Sequence, residues 1–136
     1  MIGIVLVGHA HIAQETVRAM EHVLGSQPLV ATVNAGQKQD PARMAEALRS
    51  ALERCDTGDG VLVLSDMFGG TPCNLAIGEA ARRGRAEVVS GFNLPLLIKA
   101  LALRGQGLSL SELADSVTDA GRQYIRHVRA EESEHG

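Results

Sequence analysis

The sequence predicts an α/β protein: three α/β/α layers around a mostly parallel central sheet, with strand order beginning 2-1-3 and a C-terminal helical segment. Two observations carry this. Four short runs, IGIVLVG (2–8), PLVATV (28–33), GVLVLS (60–65) and AEVVSG (86–91), are dense in Val, Ile and Leu with little alternation. Strands covered on both faces look like this, because neither side of the pleat meets water. Between the runs lie amphipathic helical patterns punctuated by proline at their starts and glycine at their ends. A β-α-β-α-β-α-β order implies parallel pairing with right-handed crossovers and helices on both faces.

Each element has its own justification. The first helix, expected over 12–24, places Ala13, Val17, Met20 and Leu24 on one stripe and stops at Gly25. The second, 41–55, starts at Asp40-Pro41 and stacks Met44, Leu48, Ala51 and Leu52. The third, 72–83, starts at Thr71-Pro72, with Thr71 as N-cap, and stops at Gly84. After residue 91 the pattern is helical only. A short segment runs 95–103 and a longer one 110–129, opened by the capping box Ser109-x-x-Glu112 and carrying Leu110, Leu113, Val117, Tyr124 and Val128 mostly on one side. Residues 1–129 form one expected domain and 130–136 a polar tail.

Composition narrows the function. The 136 residues suffice for one domain with a real core. A net charge of −3 and only three aromatic residues, Phe68, Phe92 and Tyr124, offer neither an electrostatic footprint nor a stacking platform for nucleic acid. Cys55 and Cys73 form no C-x-x-C pair, so structural zinc and a disulfide framework are disfavoured. No apolar run is long enough to span a membrane and no basic-then-apolar leader opens the chain, so the expected location is the cytoplasm. Dinucleotide-binding, P-loop and nucleophile-elbow fingerprints are all missing.

In open α/β sheets ligands bind beyond the carboxyl ends of the strands, where strand order reverses. For an order beginning 2-1-3, that crevice lies between the ends of the first and third strands. One end reads Gly8-His9-Ala10-His11 and the other Ser65-Asp66-Met67-Phe68-Gly69-Gly70-Thr71-Pro72. A carboxylate that accepts from one imidazole nitrogen leaves the lone pair of the other free as a nucleophile. Gly69 and Gly70 let the backbone approach a ligand, and the helix start at Thr71 supplies unpaired N–H groups that favour phosphate. His9, Asp66 and an anion nest at one place suggest a histidine that carries a phosphoryl group. Taken singly, each piece has a plainer reading as a solvated strand-end histidine, turn chemistry or a helix start. His9 and His11 point to opposite sides of an extended chain, so a shared metal ion is disfavoured. His22, His127 and His135 read as surface residues.

These residues resemble the mannose-family enzyme IIA domain of the bacterial phosphoenolpyruvate-dependent sugar phosphotransferase system. The resemblance spans nearly the whole chain and rests on IVLVGHAHIA, VLVLSDMFGGTPCN and VVSGFNLPLL. The Asp-x-x-Gly-Gly-[Ser/Thr]-Pro segment after a buried strand is its most specific part. The phosphoryl-donor subunit of dihydroxyacetone kinase has a similar strand-end histidine but a different segment there. The resemblance implies that His9 is the phosphorylated nucleophile, that Asp66 orients it, and that Gly70 and Thr71 hold the phosphoryl group in transfer. It further implies phosphate taken from the phosphocarrier protein HPr and passed to a IIB component, a homodimer, and no metal or organic cofactor. Because the sequence ends after the helical segment, the IIB acceptor is expected on a separate chain. The alternative is a phosphorylation-dependent regulator in a phosphotransferase system without a sugar permease, and a third is a non-catalytic domain with a structural His9–Asp66 bond. Three positions depart from the family pattern: Ala10 stands where glycine is usual, His11 is not part of the pattern, and Met67 replaces a threonine found in some members. Met67, Phe68 and Leu94 are candidates for the HPr docking surface.

Overall fold

The computed structural model describes residues 1–36 and 40–131. Strands β1 (Gly3–His9), β2 (Val30–Ala35), β3 (Val61–Ser65) and β4 (Ala86–Ser90) alternate with helices α1 (Ile12–Leu24), α2 (Pro41–Cys55) and α3 (Thr71–Arg83), and α4 (Leu94–Leu103) and α5 (Leu110–Gln123) follow. The sheet is wholly parallel in the order β2-β1-β3-β4. The reversal between β1 and β3 expected from the sequence is therefore present.

Period-two alternation divides the interior. Ile4 and Leu6 of β1, with Leu62 and Leu64 of β3, face a core that also holds Met20 of α1, Leu96 and Leu97 of α4, and Leu113 and Val117 of α5. Val5, Val7, Val61 and Val63 face the opposite core, with Met44, Leu48 and Leu52 of α2 and Ala76 of α3. Both central strands are buried on both sides, which is why their sequences show no polar alternation. Two residues further along β1, His9 shares the parity of Val5 and Val7 and so belongs to the α2–α3 face.

Several expected boundaries shift. β2 begins at Val30 rather than at residue 28. Pro28 has no N–H for a ladder, and Leu29 adopts a left-handed φ of 54°, so the two residues form the entry turn. The buried Arg104 guanidinium holds that turn by donating to the carbonyl of Pro28 at 2.6 Å and those of Leu29 and Ile2 at 3.4 Å. The third helix starts at Thr71, one residue early. α5 ends at Gln123 instead of 129, leaving Tyr124, Ile125 and Val128 exposed. Asn93 Nδ2 donates to the Gly121 carbonyl at 3.0 Å, the acceptor that residue 125 would need to continue the helix, and the Ile125 amide turns to Arg122 O instead. The expected tail lies, from residue 132 onward, outside the described residues, as does His135.

At the pole opposite the strand C-termini, Asp56 ends α2 and ties it to the α3–β4 turn. Its carboxylate accepts from the Gly58 and Gly60 amides at 2.8 and 3.1 Å and pairs with Arg83 at 2.6 Å and Arg85 at 3.2 Å. The Gly58 amide holds its pKa below the ordinary aspartate range; burial opposes this, and Arg83, Gly60 and Arg85 add to the lowering. A folded-state pKa below the unfolded one contributes stability that is present above the unfolded pKa and lost as pH falls through the folded one. Asp56→Asn is expected to cost about 2 kcal/mol near neutrality and to flatten the loss of stability below about pH 4, measured by urea unfolding across that range.

Candidate functional site

The site forms where β1 and β3 end. The parallel register pairs Val7 with Ser65, so the residues that follow, Gly8-His9 and Asp66, emerge side by side. The Asp66 side chain is buried, whereas that of His9 is 50% exposed. Asp66 Oδ2 accepts from the His9 amide at 2.9 Å and meets His9 Nδ1 at 2.8 Å, while Oδ1 accepts from the Met67 amide at 2.9 Å. Burial acts to raise the Asp66 pKa, but the His9 amide, the His9 ring and the Met67 amide together lower it. The ionised carboxylate has no proton to give, so Nδ1 is the donor, and in the neutral imidazole Nε2 then carries the lone pair.

Two glycines make room for this pair. A Cβ at Gly8 would fall 2.6 Å from Ile12 Cγ2 and 3.1 Å from Asp66 Oδ2. One at Gly70 would fall 2.9 Å from His9 Cε1 and 3.3 Å from Nε2. The ring thus lies directly against Gly70, its Nε2 edge beside the start of α3. Gly69 turns the chain there with a φ of 90°, and Gly70 is already extended at φ −86°, ψ 167°. Gly70 therefore takes the N-cap position that the sequence assigned to Thr71. Thr71 is the first helical residue and no side chain caps the helix. By their place in the first turn, the Thr71 and Cys73 amides have no acceptor within α3, and Pro72 has no N–H.

An open cleft of about 430 Å³ adjoins the ring, lined by His9, Ala10, Ala35, Gly36, Pro41, Met44, Thr71 and Pro72. The N-termini of α2 and α3 both face it, which gives it a positive local potential. It lies toward β2, to one side of the β1–β3 junction where the sequence placed the crevice, and on the α2–α3 face, which follows from His9 sharing the Val5–Val7 parity. Met67 and Phe68 are 55% and 75% exposed at the rim, while Leu94 packs against the α4–α5 core. Cys55 and Cys73 are buried free thiols. Among the described residues no three His, Cys, Asp or Glu side chains gather as metal ligands, and no helix is long and apolar enough to cross a membrane.

The two histidines separate. His9 ends the strand; Ala10 turns the chain at a left-handed φ of 49°; His11 is the N-cap of α1, exposed and making no cap bond. An L-residue held there is strained, and glycine is not. Ala10→Gly is accordingly expected to stabilise the protein by up to about 1 kcal/mol, read as a higher urea midpoint with unchanged slope. Sequence reasoning missed Gly8, whose only local signal is its place before a strand-end histidine, and the Gln14–Asn34 amide pair behind the turn.

Comparisons with known proteins agree with this architecture. Residues 3–118 match a family model described as PTS system fructose IIA component, where PTS is the phosphotransferase system. The chain is 30% identical over 129 residues to the mannose-specific EIIAB component of Escherichia coli (strain K12), covering 95% of this chain and 40% of that protein. It is 32% identical over 121 residues to the sorbose-specific EIIA component of Lacticaseibacillus casei, covering 89% and 86% of the two chains. The solved mannose/sorbose specific IIA subunit from Enterococcus faecalis superposes with a TM-score of 0.84 at 26% identity, over 94% of this chain and 95% of that one. This chain thus spans about two fifths of the EIIAB relative and most of the sorbose EIIA protein. With the family match running through all four strands and into α5, the chain belongs to the mannose-type EIIA family of the sugar phosphotransferase system.

Proposed function

We propose that the protein is a phosphocarrier that accepts a phosphoryl group from phospho-HPr on His9 and passes it to a IIB component. The observation that carries this reading is the 2.8 Å contact between His9 Nδ1 and Asp66, with Nε2 beside Gly70 at the start of α3. Asp66 holds the neutral imidazole in one tautomer, so the Nε2 lone pair is available for in-line attack on phosphorus. A P–N bond forms at Nε2 as the P–N bond of the donor phosphohistidine breaks, and the donor imidazole leaves with the bonding electron pair. The ring then carries positive charge beside a buried carboxylate, which stabilises it. The amides of Gly70 and Thr71 and the Thr71 hydroxyl would bind the equatorial phosphoryl oxygens, with Gly69 shaping the turn that presents them. Phosphoryl transfer asks mainly for such positioning and charge stabilisation. The family's place in the phosphotransferase system supports HPr and IIB as partners, a cytoplasmic location and, on the resemblance, a homodimer.

The test is transfer of labelled phosphate from phosphoenolpyruvate, through enzyme I and HPr, onto wild type, His9→Ala and His11→Ala. An acid-labile, base-stable label lost only in His9→Ala is expected. Label that survives His9→Ala and disappears in His11→Ala would move the nucleophile, and an unlabelled wild type would remove the reading. Gly70→Ala is a milder probe. Its Cβ must displace the His9 ring, and acceptance is expected to slow roughly tenfold or more with the far-UV circular dichroism spectrum unchanged.

A further inference from the structure

α1 begins straight after the turn that carries His9, yet its N-cap side chain, His11, bonds to none of the orphan amides there. The cap comes from another strand. Asn34, next to last in β2, accepts from the Gln14 amide through Oδ1 at 3.4 Å and donates through Nδ2 to Gln14 Oε1 at 3.1 Å. Asn34 pairs with Gly8 in the ladder and Ala35 with His9. The Ala35 carbonyl accepts from the Ala10 amide at 3.0 Å. The strained residue between the two histidines is therefore fastened to β2 before it by the ladder and after it by the Asn34 side chain, which accepts from the Gln14 backbone N–H and donates to the Gln14 side-chain oxygen. Both amide side chains are half-buried, so water competes only partly for their bonds.

We infer that Asn34 is a positioning residue for His9: with Gln14 it caps α1 from the neighbouring strand and holds the Ala10 turn, which keeps the His9 ring on Asp66 with Nε2 against Gly70. The role rests on His9 being the phosphoacceptor only where rate is concerned; the orientation of the ring is measurable without any transfer. Losing the clamp leaves the Gln14 amide without its acceptor and lets Ala10 relax away from its left-handed conformation. The ring then samples orientations in which Nδ1 no longer faces the carboxylate.

The experiment compares wild type, Asn34→Ala, Asn34→Asp, Gln14→Ala and the double alanine variant by ¹⁵N chemical shifts of the His9 ring and by the rate of acceptance from phospho-HPr. Wild type is expected to show one neutral tautomer, protonated at Nδ1. Asn34→Ala should show a mixture of the two and accept phosphate roughly tenfold more slowly. Asn34→Asp keeps the acceptor for the Gln14 amide, and its charge suits the helix N-terminus, so it should recover most of the tautomer and the rate. The double variant should be no slower than Asn34→Ala, since both remove one clamp. A lowered melting temperature in Asn34→Ala with wild-type tautomer and rate would overturn the inference and leave the pair purely structural. Wild type that accepts no phosphate while its His9 spectrum still responds to Asn34→Ala would defeat the phosphocarrier reading and support the positioning role.

Discussion

The pairing of β1 with β3 is the constraint on which the rest depends. Each strand is buried on both faces, so each contributes to two cores at once, and a slip of one residue would exchange every side chain between them. That cost pins the register at Val7–Ser65, and the register alone brings His9 and Asp66 out side by side. The site thus inherits its geometry from the packing of valines and leucines with no chemical role. It also inherits its side of the sheet: the parity that buries Val5 and Val7 under α2 and α3 turns His9 toward the starts of those two helices.

Within that frame, Asp66 is held by competing terms. Burial disfavours its charge, and two amides and an imidazole favour it; the hydrogen bonds prevail because donors from the ends of both strands converge on the one carboxylate. With fewer partners the carboxylate's pKa would rise and its hold on the ring would weaken. The neighbouring left-handed Ala10 is local strain of the kind that persists only when its surroundings over-determine it. Its ladder bond to Ala35 and the amide pair between Gln14 and Asn34 provide that restraint. Glycine at this position would have removed the strain and with it the need for so firm an attachment to β2.

The departures from the family pattern have local structural explanations. Ala10 fits because the turn tolerates a strained L-residue. His11 starts α1 on the exposed side and makes no bond that another residue there would be required to make. At Met67 it is the backbone amide that serves Asp66, so the exposed side chain is free to differ.

By itself the sequence determined the alternation of strands and helices, the doubly covered central strands and the candidate residues at two strand ends. These depend on local periodicity and on proline and glycine punctuation, which act within a few residues. Tertiary structure decided what depends on partners far along the chain. No local pattern marks Arg104, yet it is buried, and its guanidinium donates to carbonyls of the β2 entry turn and the β1 start. The stripe that predicted a helix to residue 129 is real through Val117, but Asn93 takes the carbonyl needed to extend it. The cap of α1 lies on β2 and that of α3 is a bare glycine, so neither is visible in a local capping pattern. Hydrogen bonds made across the fold outcompete local propensities of a few tenths of a kcal/mol per residue, and only the assembled chain brings their partners within reach.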